Sequence, residues 1–271
     1  MRIAAVLSDG HDIGVDPQLA VSQDRQLVAA LQGRLDGIVL RHGWATSPRW
    51  NPQALTYASF LAADRGPLHL TLRGVPLDVR NPIELAEQLG SLDHAWSGRL
   101  VVGLARGTQL ERAWFGIAPA ATRFDEGLAL VRRMWALEPF SGEGPVFEFD
   151  EVRPTLRPIT PGGPPLCLEA TDRSGAQQAA ELALGLHIAG GSGSEDRADL
   201  IAAYRDAGGA GELSLQVDHH QTQTDELERF AEQGVNQLDV ILRRPGDDPD
   251  SVSARVEDLV ERATAAGHGV G

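Results

Sequence analysis

The chain has 271 residues, with 38 acidic against 24 basic residues and a formal net charge of −14 at pH 7. The acidic residues are spread along the chain without a basic patch, which argues against a nucleic-acid-binding protein, and no run reaches the roughly 18 consecutive apolar residues of a membrane span. The single cysteine, Cys167, leaves no internal disulfide and favours a reducing, cytoplasmic compartment.

Eight apolar runs of strand length alternate with longer helical patterns along the chain. Buried parallel strands are typically short and almost continuously apolar. The runs cover residues 3–7, 37–40, 68–72, 100–104, 166–169, 186–189, 213–217 and 237–242. Because strands alternate with helices, the pattern indicates βαβ units and a parallel sheet.

The intervening segments carry apolar residues at helical spacing and helix start signals. Asp16 with Pro17, and Asn81 with Pro82, each place a capping residue before a proline, which is typical of a helix start. Further helices are predicted over residues 52–63, from residue 122 onward, and over residues 174–184, 195–207, 224–233 and 251–265. The pattern over residues 52–63 is the weakest of these.

The alternation stops between residues 137 and 165, where proline and glycine are dense, and one extra short strand is predicted near residues 146–149. Loops of this length are uncommon unless they are functional or disordered. The chain length is close to the roughly 250 residues of a TIM barrel. We therefore predict one domain over residues 1–271, a TIM (β/α)₈ barrel with a long Pro/Gly-rich loop at about 138–165. An open doubly wound sheet is the alternative, because periodicity does not distinguish the two.

Residues 81–107 form the most recognisable stretch of the chain. They combine a proline-led helix, a Leu-Asp pair, a Ser-Gly-Arg turn, and a strand that ends in Arg106 and Gly107. This stretch resembles the luciferase-like (bacterial luciferase superfamily) flavin-dependent monooxygenases and oxidoreductases. The resemblance continues through residues 114–116, 123–126, 133–135 and 164–170, and covers about residues 81–190.

The resemblance implies a TIM barrel that binds reduced FMN and uses O₂ to oxidise a small organic substrate. Reduced flavin would come from a separate flavin reductase, since the chain has no Gly-x-Gly-x-x-Gly dinucleotide site. Family members are commonly homodimers, and the apolar content of residues 85–96 is compatible with such a contact. Two alternatives stay open: an F420-dependent oxidoreductase that transfers hydride without O₂, and a non-catalytic, degenerate flavin-binding member.

The chain contains no lysine, which leaves arginine and backbone N–H groups to bind an anion. Arg106 matches the family's Arg-Gly that contacts the flavin phosphate, and a guanidinium suits phosphate bidentately. A second phosphate contact is expected from Glu169, Ala170, Arg173 and Ser174 after the fifth strand. Ala170 stands where the family commonly has serine, and simple helix capping is the alternative role of this segment.

Two further positions are assigned from strand ends. Gly74 follows the third strand, where the family often has a strained or cis peptide under the flavin ring, although a plain turn is an equal alternative. His42 follows the second strand, where the family has a Glu-His-His pattern, and is predicted to be the catalytic base. A register one or two residues later stays open. His219 and His220 follow the seventh strand, but neighbours on an extended strand point to opposite faces, so no metal site is predicted.

Overall fold

The computed structural model describes residues 1–7, 10–43, 49–118, 120, 122–190 and 194–269. The strands are β1 (Arg2–Val6), β2 (Gly37–Arg41), β3 (His69–Pro76), β4 (Leu100–Ala105), β5 (Phe140–Glu143), β6 (Glu148–Val152), β7 (Leu166–Ala170), β8 (Gly185–Ile188), β9 (Leu213–Asp218) and β10 (Gln237–Ile241). All except β5 and β6 are parallel and form one closed barrel, in which β1 pairs with both β2 and β10. The predicted TIM barrel is confirmed, and the open-sheet alternative is wrong because the sheet has no edge.

Helices cover the outside of the barrel between successive strands. They are α1 (Pro17–Leu31), α2 (Ala54–Leu61), α3 (Pro82–Ala95), α4 (Gln109–Trp114), α5 (Arg123–Ala136), α6 (Arg173–Glu181), α7 (Ser194–Asp206), α8 (Thr224–Glu232) and α9 (Pro249–Ala265). Asp16 and Asn81 cap α1 and α3 as expected, each accepting backbone N–H groups of the first turn, at 2.8 and 2.9 Å. Within the described residues, no helix is long and apolar enough to cross a membrane.

The short helix α4 is not predicted by apolar periodicity, because six residues are too few to show a period. It begins with a capping box. The Thr108 hydroxyl accepts from Glu111 N at 3.2 Å, and the Glu111 carboxylate accepts from Thr108 N at 2.7 Å. The Thr-x-x-Glu spacing is the signal in the sequence that identifies this helix.

The Pro/Gly-rich loop contains an antiparallel hairpin, because β5 pairs with β6. The extra strand predicted near residues 146–149 is therefore present, shifted by about two residues. The tip of the hairpin packs on the start of α5: Val146 N donates to Glu126 Oε2 at 3.1 Å, and the Arg123 guanidinium lies 4.7 Å from the Phe147 ring centre. Since α5 starts on the side of the strands' carboxyl ends, the hairpin returns to that side of the barrel.

The apolar residues of α3 face the barrel. Leu85, Leu89 and Leu92 are at most 3% exposed and belong to the main hydrophobic core. These side chains, on which a dimer contact through residues 85–96 was expected to rest, are therefore not available to a second copy.

The interior of the barrel is crossed by a buried ion pair. Arg73 Nε donates to Asp239 Oδ2 at 2.7 Å, and both side chains are 0% exposed. Because β1 and β2 separate β3 from β10 in the barrel, this contact spans the lumen. Burial by itself lowers the pKa of the Arg73 guanidinium, but Asp239 and Cys167 raise it above its usual value overall, so Arg73 stays charged.

Neutral side chains complete the polar lumen. Gln237 Nε2 donates to Asp239 Oδ1 at 2.7 Å and to Thr71 Oγ1 at 2.9 Å, and Arg73 Nη1 lies 2.9 Å from Cys167 Sγ. The apolar residues that alternate with these on the strands pack outward in the main core. The strands therefore depart from the near-continuous apolar burial expected for a parallel sheet.

We expect Asp239→Asn to lower the free energy of unfolding by about 3–5 kcal/mol, because it leaves the buried Arg73 guanidinium without a counter-charge. Urea unfolding followed by circular dichroism measures the change. Arg153→Gln, which removes an ion pair with Glu151 that is exposed on both sides, is the control and should leave the midpoint unchanged. Equal midpoints for Asp239→Asn and the wild type would show that the pair contributes no net stability.

Candidate functional site

The carboxyl ends of the barrel strands form the mouth of the barrel, where the active sites of TIM-barrel enzymes lie. The Arg41 side chain, at the end of β2, crosses this mouth. Its Nη1 donates to Gln216 Oε1 of β9 at 2.6 Å, and its Nη2 donates to Glu169 Oε1 of β7 at 3.1 Å. Two strands separate β2 from β7 on one side and from β9 on the other. The guanidinium therefore lies over the lumen and closes it.

Glu169, Gly74 and His42 come together beside Arg41. Gly74 lies at a register shift in β3 with a φ of +69°, so its unusual geometry is a positive φ, and the peptide bonds of the described residues are trans. A Cβ at Gly74 would lie 3.6 Å from the His42 carbonyl oxygen and 3.7 Å from Glu169 Oε2. Glu169 Oε2 is buried and accepts no hydrogen bond within the described part of the chain. The mouth thus offers an unused acceptor next to a backbone without a side chain.

His42 is half-buried, and its backbone N donates to the Arg73 carbonyl oxygen at 2.6 Å. Burial, with a smaller contribution from the Arg80 charge, lowers the pKa of the His42 imidazole to about 3. The ring is therefore neutral at physiological pH. A neutral imidazole has the free nitrogen that a base needs, and the role of His42 as a catalytic base stays a prediction.

Arg106 lies at the mouth, immediately after β4, and is exposed. Its guanidinium lies 4.9 Å from the Phe124 ring centre, and no carboxylate of the described residues pairs with it. The next residue is held by a buried carboxylate, since Gly107 N donates to Asp78 Oδ1 at 2.5 Å. A Cβ at Gly107 would lie 2.5 Å from Val79 Cγ1, so the close turn requires glycine. The arrangement presents an exposed guanidinium beside a fixed backbone.

The function of Asp78 is not apparent from the sequence. It follows β3, and besides Gly107 it binds Arg112 of α4, with Nη1 3.1 Å from Oδ2, while its carbonyl oxygen accepts from Arg123 Nε at 2.6 Å. The Asp78 side chain therefore joins the loop after β3 to the loop after β4 and to α4, and its backbone carbonyl binds the start of α5. A lone Asp in a Pro-Leu-Asp loop carries no motif that predicts this role.

The residues at the end of β7 and after it lie in different surroundings. The Glu169 side chain joins the mouth, whereas Ala170 is 2% exposed and packs in the core. Asp172 caps α6 by accepting from Gly175 N at 2.8 Å. Arg173 forms an ion pair with Asp199 of α7, and Ser174 is exposed in the first turn of α6. The N-terminal N–H groups of α6 are thus partly satisfied by an acidic cap.

A second buried polar cluster lies beside the mouth and was not predicted. Asp24 of α1 accepts from Tyr57 OH at 2.9 Å, lies 2.9 Å from His11 Nε2, and pairs with Arg243. Burial first, and then Asp24, raise the pKa of Tyr57 above its usual value. The cluster attaches the segments after β1 and β10 to α1 and α2.

His219 contacts a carboxylate on the outer helices, with its Nε2 2.9 Å from Asp258 Oδ2 of α9. Among the described residues, no three His, Cys, Asp or Glu side chains converge as metal ligands.

The closed parallel barrel with helices outside it defines the chain as a (β/α)₈ barrel protein, and the exposed Arg106 lies at the strand ends, where such barrels carry their active sites. Residues 20–220 match the family model described as luciferase-like monooxygenase. The chain therefore belongs to the luciferase-like monooxygenase family.

Individual relatives are distant. The chain is 28% identical over 216 residues to 4-hydroxyprotoasukamycin monooxygenase from Streptomyces nodosus subsp. asukaensis, which covers 72% of this chain and 56% of the relative. The chain thus spans little more than half the length of that relative.

Three solved structures share the barrel. A monooxygenase from Streptomyces bottropensis superposes with a TM-score of 0.84 at 18% identity, covering 98% of this chain and 99% of that one. An F420-dependent secondary alcohol dehydrogenase in complex with an F420-acetone adduct gives 0.75 at 15% identity, with 98% of each chain covered. The oxygenating constituent of 3,6-diketocamphane monooxygenase from Pseudomonas putida, in complex with FMN, gives 0.69 at 16% identity, covering 86% and 71%. At these identities the likeness shows the fold.

We expect His42 to make the free energy of unfolding decrease as the pH is lowered. Because its folded pKa of about 3 lies below the unfolded value of about 6.5, the unfolded chain binds a proton in this window that the folded chain does not. The free energy of unfolding then decreases by about 1.4 kcal/mol for each pH unit below pH 6.5. Between pH 7.5 and pH 5, the wild type should lose about 2 kcal/mol more than His42→Gln in urea unfolding.

His220→Gln is the matched control for this measurement, because that side chain is exposed, and it should lose as much stability as the wild type. An equal loss in His42→Gln and the wild type would contradict the lowered pKa of His42.

Proposed function

We propose that this chain is a flavin-dependent monooxygenase that uses reduced FMN and O₂ to oxidise a small organic substrate. The family match over residues 20–220 supports this, as do a relative named as a monooxygenase and a solved barrel that holds FMN. The observation that carries the proposal is the exposed Arg106 guanidinium, which pairs with no carboxylate of the described residues and lies at the end of β4 beside a turn fixed by Asp78. A guanidinium in that position suits the phosphate of a flavin mononucleotide.

We propose that the ring of such a cofactor lies at Gly74. This residue has no side chain, and a Cβ there would lie within 3.7 Å of two acceptors, Glu169 Oε2 and the His42 carbonyl oxygen. A heterocycle with an N–H edge matches the hydrogen-bonding character of this place. When bound, reduced FMN supplies the reaction with O₂, and the protein's part is binding and orientation.

The side chains of this chain have separate roles in the proposal. Arg106 anchors the phosphate, and Gly74 and Glu169 receive the ring. His42 serves as a neutral polar group beside the ring, because it stays uncharged at physiological pH. Arg41 closes the lumen below the ring, so that water does not reach it from the barrel interior.

The segment with Ala170, Arg173 and Ser174 stays a prediction as a second phosphate contact. Its strongest element is the N-terminus of α6, which favours anions. Asp172 already occupies part of this terminus, and Asp199 neutralises Arg173. We therefore propose that Arg106 contributes more to phosphate binding than this segment does.

The partners follow from the same proposal. One solved neighbour is described as the oxygenating constituent of its monooxygenase, which supports a separate flavin reductase as the source of reduced FMN here. A homodimer and a cytoplasmic location stay predictions.

An F420-dependent oxidoreductase is the second candidate function. An F420-dependent alcohol dehydrogenase superposes over 98% of this chain with a TM-score of 0.75. The same site features would serve F420, since it also carries a phosphate and a planar ring. In that case the reaction is hydride transfer without O₂, and the substrate is again a small organic molecule.

The test is a titration of the purified protein with FMN, chemically reduced FMN under anaerobic conditions, and F420. We expect micromolar binding of reduced FMN, and at least a tenfold weaker affinity in Arg106→Ala, since a lost charged hydrogen bond costs about 1.5–3 kcal/mol. Arg153→Ala, an exposed arginine on the hairpin, is the control and should bind as the wild type does.

The three ligands separate the candidate functions. Tight binding of F420 in preference to both forms of FMN selects the hydride-transfer enzyme. If no flavin binds at millimolar concentration, the enzyme proposal is wrong and the chain is a degenerate member of its family.

A further inference from the structure

The closure of the lumen by Arg41 joins two opposite charges at the place where the proposed cofactor ring lies. Arg41 and Glu169 are 26% and 15% exposed, so both charges are largely removed from water. Their separation of 3.1 Å lets each compensate the other. Gln216 supplies a neutral acceptor to the second guanidinium nitrogen. The pair thus presents almost no net charge to the mouth.

The two carboxylate oxygens of Glu169 have different surroundings. Oε1 accepts from Arg41, while Oε2 is buried, accepts nothing from the described residues, and lies 3.7 Å from the position that a Cβ at Gly74 would take. A buried acceptor without a donor costs free energy, which a ligand that brings a donor recovers. The contact of the Glu169–Ser174 segment with a phosphate stays a prediction. Because a carboxylate repels phosphate, the Glu169 side chain itself suits a ring N–H donor better than a phosphate oxygen.

We propose that Glu169 Oε2 accepts a hydrogen bond from a ring N–H of the bound flavin, and that Arg41 is the positioning residue that holds this carboxylate and compensates its charge. This inference rests on the proposed function. Reduced flavin is richer in electrons than oxidised flavin and readily becomes an anion. Its affinity relative to that of the oxidised form therefore depends on the net charge beneath the ring. The intact pair keeps that charge near zero.

Removing either partner exposes the charge of the other. In Arg41→Gln the Glu169 carboxylate is uncompensated, and reduced FMN should bind more weakly relative to oxidised FMN. In Glu169→Gln the site loses one negative charge, and the preference should move toward reduced FMN. A unit charge in a partly buried site changes such a ratio by about tenfold, which is about 30 mV in the midpoint potential of a two-electron couple.

The experiment measures dissociation constants for oxidised and dithionite-reduced FMN, together with the midpoint potential of the bound flavin. Glu169→Gln should also weaken both forms by roughly tenfold, because it loses the charged acceptor. The double variant Arg41→Gln/Glu169→Gln leaves no uncompensated charge, so it should return the ratio close to the wild-type value. If a single variant does not fold, the double variant still allows the ratio of the two dissociation constants to be compared with that of the wild type.

Glu151→Gln and Arg153→Gln make the same chemical changes in an exposed pair on the hairpin, and they should change neither the ratio nor the potential. Opposite shifts in the two single variants support the proposal. Shifts of the same sign, or an unchanged ratio, show that the pair is only structural and overturn the inference while leaving the proposed function intact. If the wild type binds neither form of FMN, the proposed function itself fails.

Discussion

The buried ion pair between Arg73 and Asp239 is the interaction on which the rest of the structure depends. It spans the lumen from β3 to β10 and neutralises two charges on fully buried side chains. A polar lumen then continues upward to the mouth, where Arg41 finds acceptors on Gln216 and Glu169. A lumen filled only with aliphatic side chains would offer no partner to that guanidinium. Polar contacts therefore cross the barrel both in its interior and at its mouth.

The charge of the whole chain explains why the mouth needs such local arrangements. With a net charge of −14, the long-range field would repel the anionic cofactor that we propose, so its binding would rest on short-range contacts. Arg106 supplies a local cation, and Asp78 holds the backbone beside it. The pairing of Arg41 with Glu169 keeps a further acidic side chain from adding to the repulsion.

Most of the fold follows from local patterns. The eight predicted strands and the longer helices are present, because alternation, proline and capping residues act within a few positions of the chain. The helix at residues 109–114 is absent from the prediction because it is too short for periodicity. In the candidate site, the sequence places Arg106, Gly74, His42 and Glu169 at strand ends, which in a parallel barrel meet at one mouth. It does not reveal Asp78 or Arg41, since their roles depend on partners 29 to 175 positions away.

The sequence by itself determined the class of the molecule: an acidic, lysine-free chain whose strand and helix signals and Asn81-to-Gly107 stretch specify a luciferase-like barrel. These are properties of neighbouring residues, so they need no tertiary structure. The tertiary structure alone decided which side chains share the lumen, and with that their charge states. His42 is neutral because burial and Arg80 disfavour its protonated form, and the Glu169 carboxylate lies beside Arg41 and accepts its hydrogen bond. Charge and hydrogen bonding act through space, and the closure of the barrel sets those distances.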